Sequence, residues 1–343
     1  MPHAARALAT LFAALFAALI AGDALGQARE FQLDPRQSTF EETSNFAEGS
    51  DEALLAEARE LIARGEAKSA LRILNPWIRA NERAPNPWLP QAYLLRGDAL
   101  VIQGREFRAL YDYELIARSY AATPEFLNAI EREIEVAERY LNGLRRKILG
   151  LRVQGARNTG EELMIRAQER LPGSPLAERA AITLADHYFE ERKLRLAADM
   201  YGIFVQNFPR SDEVKRARLN QIFANVGAFP GPAYDASTLI EARILLDEYA
   251  ADYPAETVSG GIVQGLADRV DESQALSMLE TARWYLRRGD ESSARFTLRR
   301  LIRRHPATST AREAFRVMQD RGWVEDGMAQ PTPEGAASEA TRP

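Results

Sequence analysis

Apolar residues along most of the chain recur at intervals of three and four, and breaks fall every fifteen to twenty residues, a pattern that predicts amphipathic helices joined by short turns. Between residue 51 and residue 323 this period leaves almost no strand signal, so the expected fold is all-α. The flanks differ. Residues 27–50 are polar without a helical period, and residues 324–343 are rich in Pro, Gly, Ala and Glu; both are expected to be flexible. The first 26 residues carry one early positive charge (Arg6), an apolar stretch from Ala7 to Ala21, and Ala24-Leu25-Gly26 with small residues at −3 and −1. That is the layout of a secretory signal peptide cleaved after Gly26, the alternative being an uncleaved N-terminal anchor.

Self-comparison adds a repeat. Gly65, Gly104 and Gly289 each stand between two amphipathic segments, and each is followed five residues later by an alanine: Ala70, Ala109 and Ala294. This is the spacing of a tetratricopeptide turn, in which the glycine ends one helix in a left-handed conformation and the alanine lets two helices approach closely. A unit counted from Ala275 places Ala282, Tyr285, Gly289, Ala294, Leu301 and Pro306 at positions 8, 11, 15, 20, 27 and 32. One counted from Glu178 places Ala185, Tyr188, Ala197, Tyr201, Phe204 and Pro209 similarly, with Arg192 where the turn glycine belongs. Residues 51–124 hold two further units, with Pro85 and Pro124 closing late, and residues 125–173 an irregular helical pair, including a helix expected from Glu125 to Leu149. A unit from Asp212 carries extra residues in Gly227-Ala-Phe-Pro-Gly-Pro-Ala-Tyr-Asp235, a loop long enough to be functional or held by packing. The expected architecture is therefore a continuous right-handed α-solenoid of five to six helical pairs.

Chemistry narrows the function. The 343 residues contain no cysteine, which excludes disulfides, thiolate zinc sites, Cys nucleophiles and a lipid linked to cysteine within this sequence. Net charge is −5, which argues against nucleic acid as partner. Of the three histidines, His3 lies in the signal segment, His187 reads as an interhelix residue, and His305 closes a helix where a partly cationic ring suits the dipole. No metalloprotease, phosphate-loop or nucleophile-elbow motif is present, so no catalytic residue, metal or cofactor is expected. The carboxylate clamp of some tetratricopeptide domains is also missing, since Leu55, Arg59 and Asp98 occupy its places. Charge is nevertheless uneven: between Arg269 and Arg321 there are 12 arginines against 7 acids. Arg299, Arg300, Arg303 and Arg304 share one broad side of a helix. Such a stripe is either a solvated face in an arginine-rich chain or a surface that recognises carboxylates or phosphates. With Trp323, which looks exposed after the last helix, these four are the candidate partner-binding residues.

Leu279-Glu-Thr-Ala-Arg-Trp-Tyr-Leu-Arg-Arg-Gly-Asp290, followed by Ala294 to Ala311 with His305-Pro306, resembles the last repeat of the BamD family of outer-membrane assembly factors. Gly231 to Arg243 with Tyr253-Pro254 resembles that family's long loop and following helix, and Leu176 to Pro209 an earlier repeat. The resemblance covers about residues 174–320. It implies a non-catalytic periplasmic scaffold, peripheral to the outer membrane, whose C-terminal repeats dock on the barrel-forming assembly subunit and whose N-terminal repeats meet unfolded outer-membrane clients. Two departures stand out. The family is normally anchored through a cysteine, absent here, and Asp271-Glu-Ser273-Gln-Ala275 stands where relatives often carry an arginine that pairs with the partner. The alternative reading is an exported tetratricopeptide adaptor that coordinates cell-wall or envelope complexes.

Overall fold

A computed structural model describes residues 31–34, 39–42, 46–47, 49–148, 151–255, 261–324 and 330–331. The expected signal segment and most of the C-terminal segment from Glu325 onward lie outside the described residues. The chain divides into two compact units, residues 1–103 and 104–343. This boundary falls between the two helices expected for the second repeat.

The first unit holds an antiparallel hairpin, β1 (Phe31–Asp34) with β2 (Thr39–Glu42), paired Phe31↔Glu42 through Asp34↔Thr39. Three helices follow: α1 (Asp51–Ala63), α2 (Ala67–Asn81) and α3 (Leu89–Ile102). Ser50 starts α1 by accepting a hydrogen bond from the Ala53 amide, so one of the four free N–H groups of the first turn is satisfied. Gly65, at φ +77°, ends it. At that angle the Glu66 amide turns back to the Leu61 carbonyl, and α2 returns along α1. Leu55 and Ala58 of α1, Leu74 and Ile78 of α2 and Ala92 of α3 are buried among the core residues. Asp51 ties the group together by accepting from the Trp77 indole at 2.8 Å and from Asn86.

The second unit is a succession of helices, each packed on the next: α4 (Glu106–Ser119), α5 (Glu125–Leu141), α6 (Arg157–Arg170), α7 (Pro175–Glu190) and α8 (Leu194–Asn207), then α9 (Val214–Gly227), α10 (Ser237–Asp252), α11 (Ile262–Arg287), α12 (Glu291–Arg304) and α13 (Ser309–Asp320). This is the all-α array of helical pairs that the repeats predict. The α7–α8 pair keeps the repeat geometry without its glycine: Ala185 and Ala197 are fully buried, and Arg192 takes the left-handed conformation (φ +60°). It is the one non-glycine residue to do so among those described.

Three expectations are corrected. Helix α5 stops at Leu141, eight residues short of the predicted end, because Asn142-Gly143 makes a left-handed cap (Gly143 φ +91°) with Leu144 N–H donating to the Arg139 carbonyl. The chain then forms a second hairpin, β3 (Arg146–Ile148) with β4 (Leu151–Gln154), where the end of that helix and a Gly-rich passage were expected. Finally, the helix of the last repeat begins at Ile262 rather than Ala275. Its first half contributes Val263, Leu266 and Val270 to a core shared with α9 and α10, and its second half contributes Ala275, Leu279 and Ala282 to a core shared with α12 and α13.

Candidate functional site

Helix α12 is built to carry arginines. Gly289 (φ +77°) turns the chain, Asp290 caps the helix by accepting from the Ser293 amide at 3.0 Å, and Glu291 lies in the first turn. Arg303 and Arg304 occupy the last turn, so both ends suit the helix dipole. Ala294, Leu298, Leu301 and Ile302 turn inward, which leaves the row Phe296, Arg300 and Arg304, spaced by four, on another side. That row forms one wall of a cavity of about 580 Å³, and Met278, Thr281 and Tyr285 of α11 form the facing wall. Phe296 is 62% exposed, so the cavity offers an accessible aromatic face beside two guanidinium groups.

The four predicted arginines therefore do not share one environment. Arg300 and Arg304 line the cavity and, among the described residues, make no ion pair or hydrogen bond. Arg303 is exposed beside them, whereas Arg299 is half-buried and engaged within the fold. Trp323 is not the exposed aromatic expected: it is half-buried against the core of the last three helices. The reason lies in the helix end, where Gly322 (φ +65°) lets the Trp323 amide donate to the Met318 carbonyl at 2.9 Å and folds the indole back onto the apolar side of α13. Phe296 and Tyr285 were missing from the predicted set. Phe296 was legible, since it stands four residues before Arg300 in the same row.

Several other arginines of this region are committed. Arg283 bridges Glu280 and Glu313, Arg321 pairs with Glu291, and Arg288 lies 4.3 Å from the centre of the Trp284 ring. Asp271, in the segment that departs from the BamD pattern, receives Arg243 through both oxygens at 3.0 Å. Its neighbour Glu272 accepts from the amides and hydroxyls of Ser309 and Thr310 at the start of α13. Burial pushes the Glu272 carboxyl upward, but these four bonds outweigh it and hold the group below the usual carboxylate range. Both acids are therefore used to join helices.

His305 is buried, with Nδ1 3.5 Å from Asp271. Burial lowers its pKa despite that neighbour, which works against the partly cationic ring expected at this helix end. His187 is likewise buried and lowered, 3.7 Å from Glu161. No cluster of three His, Asp or Glu suited to a metal occurs among the described residues.

A second charged centre was not anticipated. Between α4, α5 and α6 a cavity of about 240 Å³ is lined by Phe107, Tyr111, Glu114, Glu133 and Arg166. Arg170 joins the two acids, donating to Glu114 at 2.7 Å and to Glu133 at 2.9 Å. Glu133 is 1% exposed and its Oε1 has no partner; burial pushes its pKa up to about 8, against the pull of Arg170. Burial also raises Glu114, but bonds from Arg170 and Arg118 outweigh it and hold that group low. Arg146 of β3 covers the Phe107 ring at 3.2 Å, and Phe107 meets Tyr111 edge to face.

Helix hairpins stacked through small buried residues, with a cationic and aromatic cavity left open on the last pair, define a helical-repeat scaffold. Residues 153–324, half of the chain and the part that contains α6 to α13, match the family described as the outer membrane lipoprotein YfiO. The chain belongs to this BamD-like family. The match reaches about twenty residues further toward the N-terminus than the resemblance seen in the sequence. No curated protein matches the chain. Family membership links it to outer-membrane protein assembly and to the cell envelope. No described helix is long and apolar enough to cross a membrane.

Proposed function

We propose that this protein is a non-catalytic periplasmic scaffold of outer-membrane β-barrel assembly, which holds the barrel-forming subunit at the cavity between α11 and α12. The observation that carries the reading is the pair Arg300 and Arg304. They lie within the family-matched region, line a cavity and, among the described residues, make no ion pair or hydrogen bond. Planar guanidinium groups can each make two bonds to a carboxylate, and Phe296 and Met278 supply apolar area beside them. An acidic segment of the partner with a neighbouring apolar side chain fits this arrangement. Long-range attraction brings the segment in, and the apolar contact lengthens its stay.

Location follows from the same contact. The family is one of lipoproteins, yet the 343 residues contain no cysteine to carry a lipid. Docking on the membrane-embedded partner then keeps the protein at the outer membrane.

The test is association of the purified protein with the periplasmic region of the barrel-forming subunit at two ionic strengths. Arg300→Glu with Arg304→Glu should slow association about tenfold or more at low salt and flatten its salt dependence. The melting temperature should hold, since neither arginine is paired. Unchanged association by the folded double variant refutes the reading.

A further inference from the structure

We propose that the cavity between α4, α5 and α6 is a receptor for an arginine side chain of a protein partner, whose guanidinium takes the free oxygen of Glu133 while its stem lies along Phe107 and Tyr111. The site shares no lining residue with the cavity between α11 and α12 and does not rest on the docking reading given for that surface.

An unused acceptor is the first argument. Glu133 is buried yet lines the cavity; Arg170 donates to its Oε2 at 2.9 Å, and its Oε1 has no partner. A buried oxygen left unpaired is costly, and a donor carried in by a ligand removes that cost. The wall sets the sign of the ligand. Three carboxyls, Glu114, Glu133 and Glu162, line the cavity against one guanidinium, Arg166, which is itself paired with Glu162 and, at 3.4 Å, with Glu114. An anion would be repelled by such a wall, whereas a cation is attracted. The aromatic residues narrow the cation to a guanidinium. Arg146 already covers the Phe107 ring at 3.2 Å, so the chain itself stacks a planar cation on this pair. Tyr111, edge to face with Phe107, is 65% exposed, and among the described residues no cation lies over its ring. A second guanidinium can stack there and present two N–H groups to a carboxylate, which an ammonium cannot do. Leu110 and Leu163 supply apolar contacts for the methylene stem, and about 240 Å³ suits one long side chain. Burial pushes Glu133 up to about 8 against the pull of Arg170, and Glu114 adds to the rise, so the carboxyl is protonated at neutral pH before the ligand arrives. Binding ionises it: the Glu133 proton leaves for solvent and the arginine keeps its own. The charged groups around Glu133 are Glu114 from α4, with Arg118 paired to it, and Glu162, Arg166 and Arg170 from α6, while Arg146 of β3 lies over Phe107. The arginines stay charged throughout, and Glu114 is raised by burial but held low by bonds from Arg170 and Arg118.

The test is a nuclear magnetic resonance titration of the isotope-labelled full chain. Three probes are used: Nα-acetylarginine amide, its citrulline counterpart as the neutral isostere, and butylguanidine as a free guanidine. The arginine probe should shift amides in residues 107–114 and 159–166, where the cavity lining lies, and the citrulline probe should not. Its apparent affinity should rise about tenfold from pH 6 to pH 7 and level off above pH 8, because below that pH the probe competes with the Glu133 proton. Glu133→Gln should weaken binding about tenfold or more at pH 8 and remove the pH dependence, and Tyr111→Leu should weaken it about two- to fivefold. Melting curves establish that both variants are folded. Absence of binding, binding that is flat between pH 6 and pH 8, equal binding of citrulline, or undiminished binding by Glu133→Gln overturns the proposal. Binding of butylguanidine without binding of the arginine probe overturns the protein source and assigns the cavity to a free guanidine.

Discussion

Replacing the buried acid Glu133 with glutamine should stabilise the protein at neutral pH and leave it unchanged in mild acid. Glu133 ionises near 4.5 when unfolded and near 8 in the folded protein, where burial between α4, α5 and α6 disfavours the charge. Over that window the folded state binds the extra proton. Stability is therefore fully present below about pH 4.5 and is lost as pH rises toward 8. At 1.36 kcal/mol per pH unit, the penalty accumulated by pH 7 is on the order of 3 kcal/mol. Glutamine keeps the volume and a carbonyl for Arg170, which also retains Glu114. Urea denaturation of both proteins at pH 5, 6, 7 and 8, followed by far-ultraviolet circular dichroism, measures the difference. His187 and His305, whose lowered pKa values add stability as pH rises through their unfolded value, contribute equally to both proteins and cancel. The glutamine variant should gain on the order of 3–4 kcal/mol at pH 7 to 8 and less than about 1 kcal/mol at pH 5. A difference that does not vary with pH, or a wild type more stable at pH 8, would mean that Glu133 is ionised in the fold and that the pair with Arg170 governs.

Two further perturbations test the repeat frame. Arg192→Gly relieves a left-handed residue worth about 1–2 kcal/mol, partly offset by the greater unfolded-state freedom of glycine, so a net gain of about 0.5–1 kcal/mol is expected. Differential scanning calorimetry should register a rise of about 1–3 °C, and a fall would contradict the assignment. Ala197→Trp forces an indole into a fully buried contact between α7 and α8 and should cost about 1–3 kcal/mol or more; an unchanged melting temperature would refute the frame.

The turns were the most legible part of the fold, because a left-handed cap has few substitutes. Gly65 and Gly289 both adopt φ +77°, and even the departure at Arg192 preserves the conformation rather than abolishing the turn. The hairpins were hidden by their length. Phe31-Gln-Leu-Asp34 and Thr39-Phe-Glu-Glu42 alternate for only four residues each, too few to mark strands within a polar, aperiodic stretch. The early start of α11 was missed because a repeat frame counted from Ala275 assigns the preceding residues to a connection. Glu133 lies in a run of charges, Glu131-Arg-Glu-Ile-Glu135, that reads as a solvated face. Yet it falls on the same side as Ala129, Ile130, Ala137 and Tyr140, all buried, and the helical period exposes it once charge is set aside. The arginines of α12 were visible as a group. Which of them remain available was not, since that depends on neighbours from other helices and on how the chain folds back at Trp323.

Helix α11 changes how the end of this array can fail. The terminal unit of a stacked repeat protein frays first, because it has a neighbour on one side only. Here the last pair shares a rod of 26 residues, about 39 Å long, with the pair before it. Val263, Leu266 and Val270 grip one half of the rod in the α9–α10 core, while Leu279 and Ala282 carry the other half into the last core. The rod acts as a splint. Detaching α12 and α13 leaves its first half packed in the α9–α10 core, and the same rod carries Met278 and Tyr285 at the cavity wall.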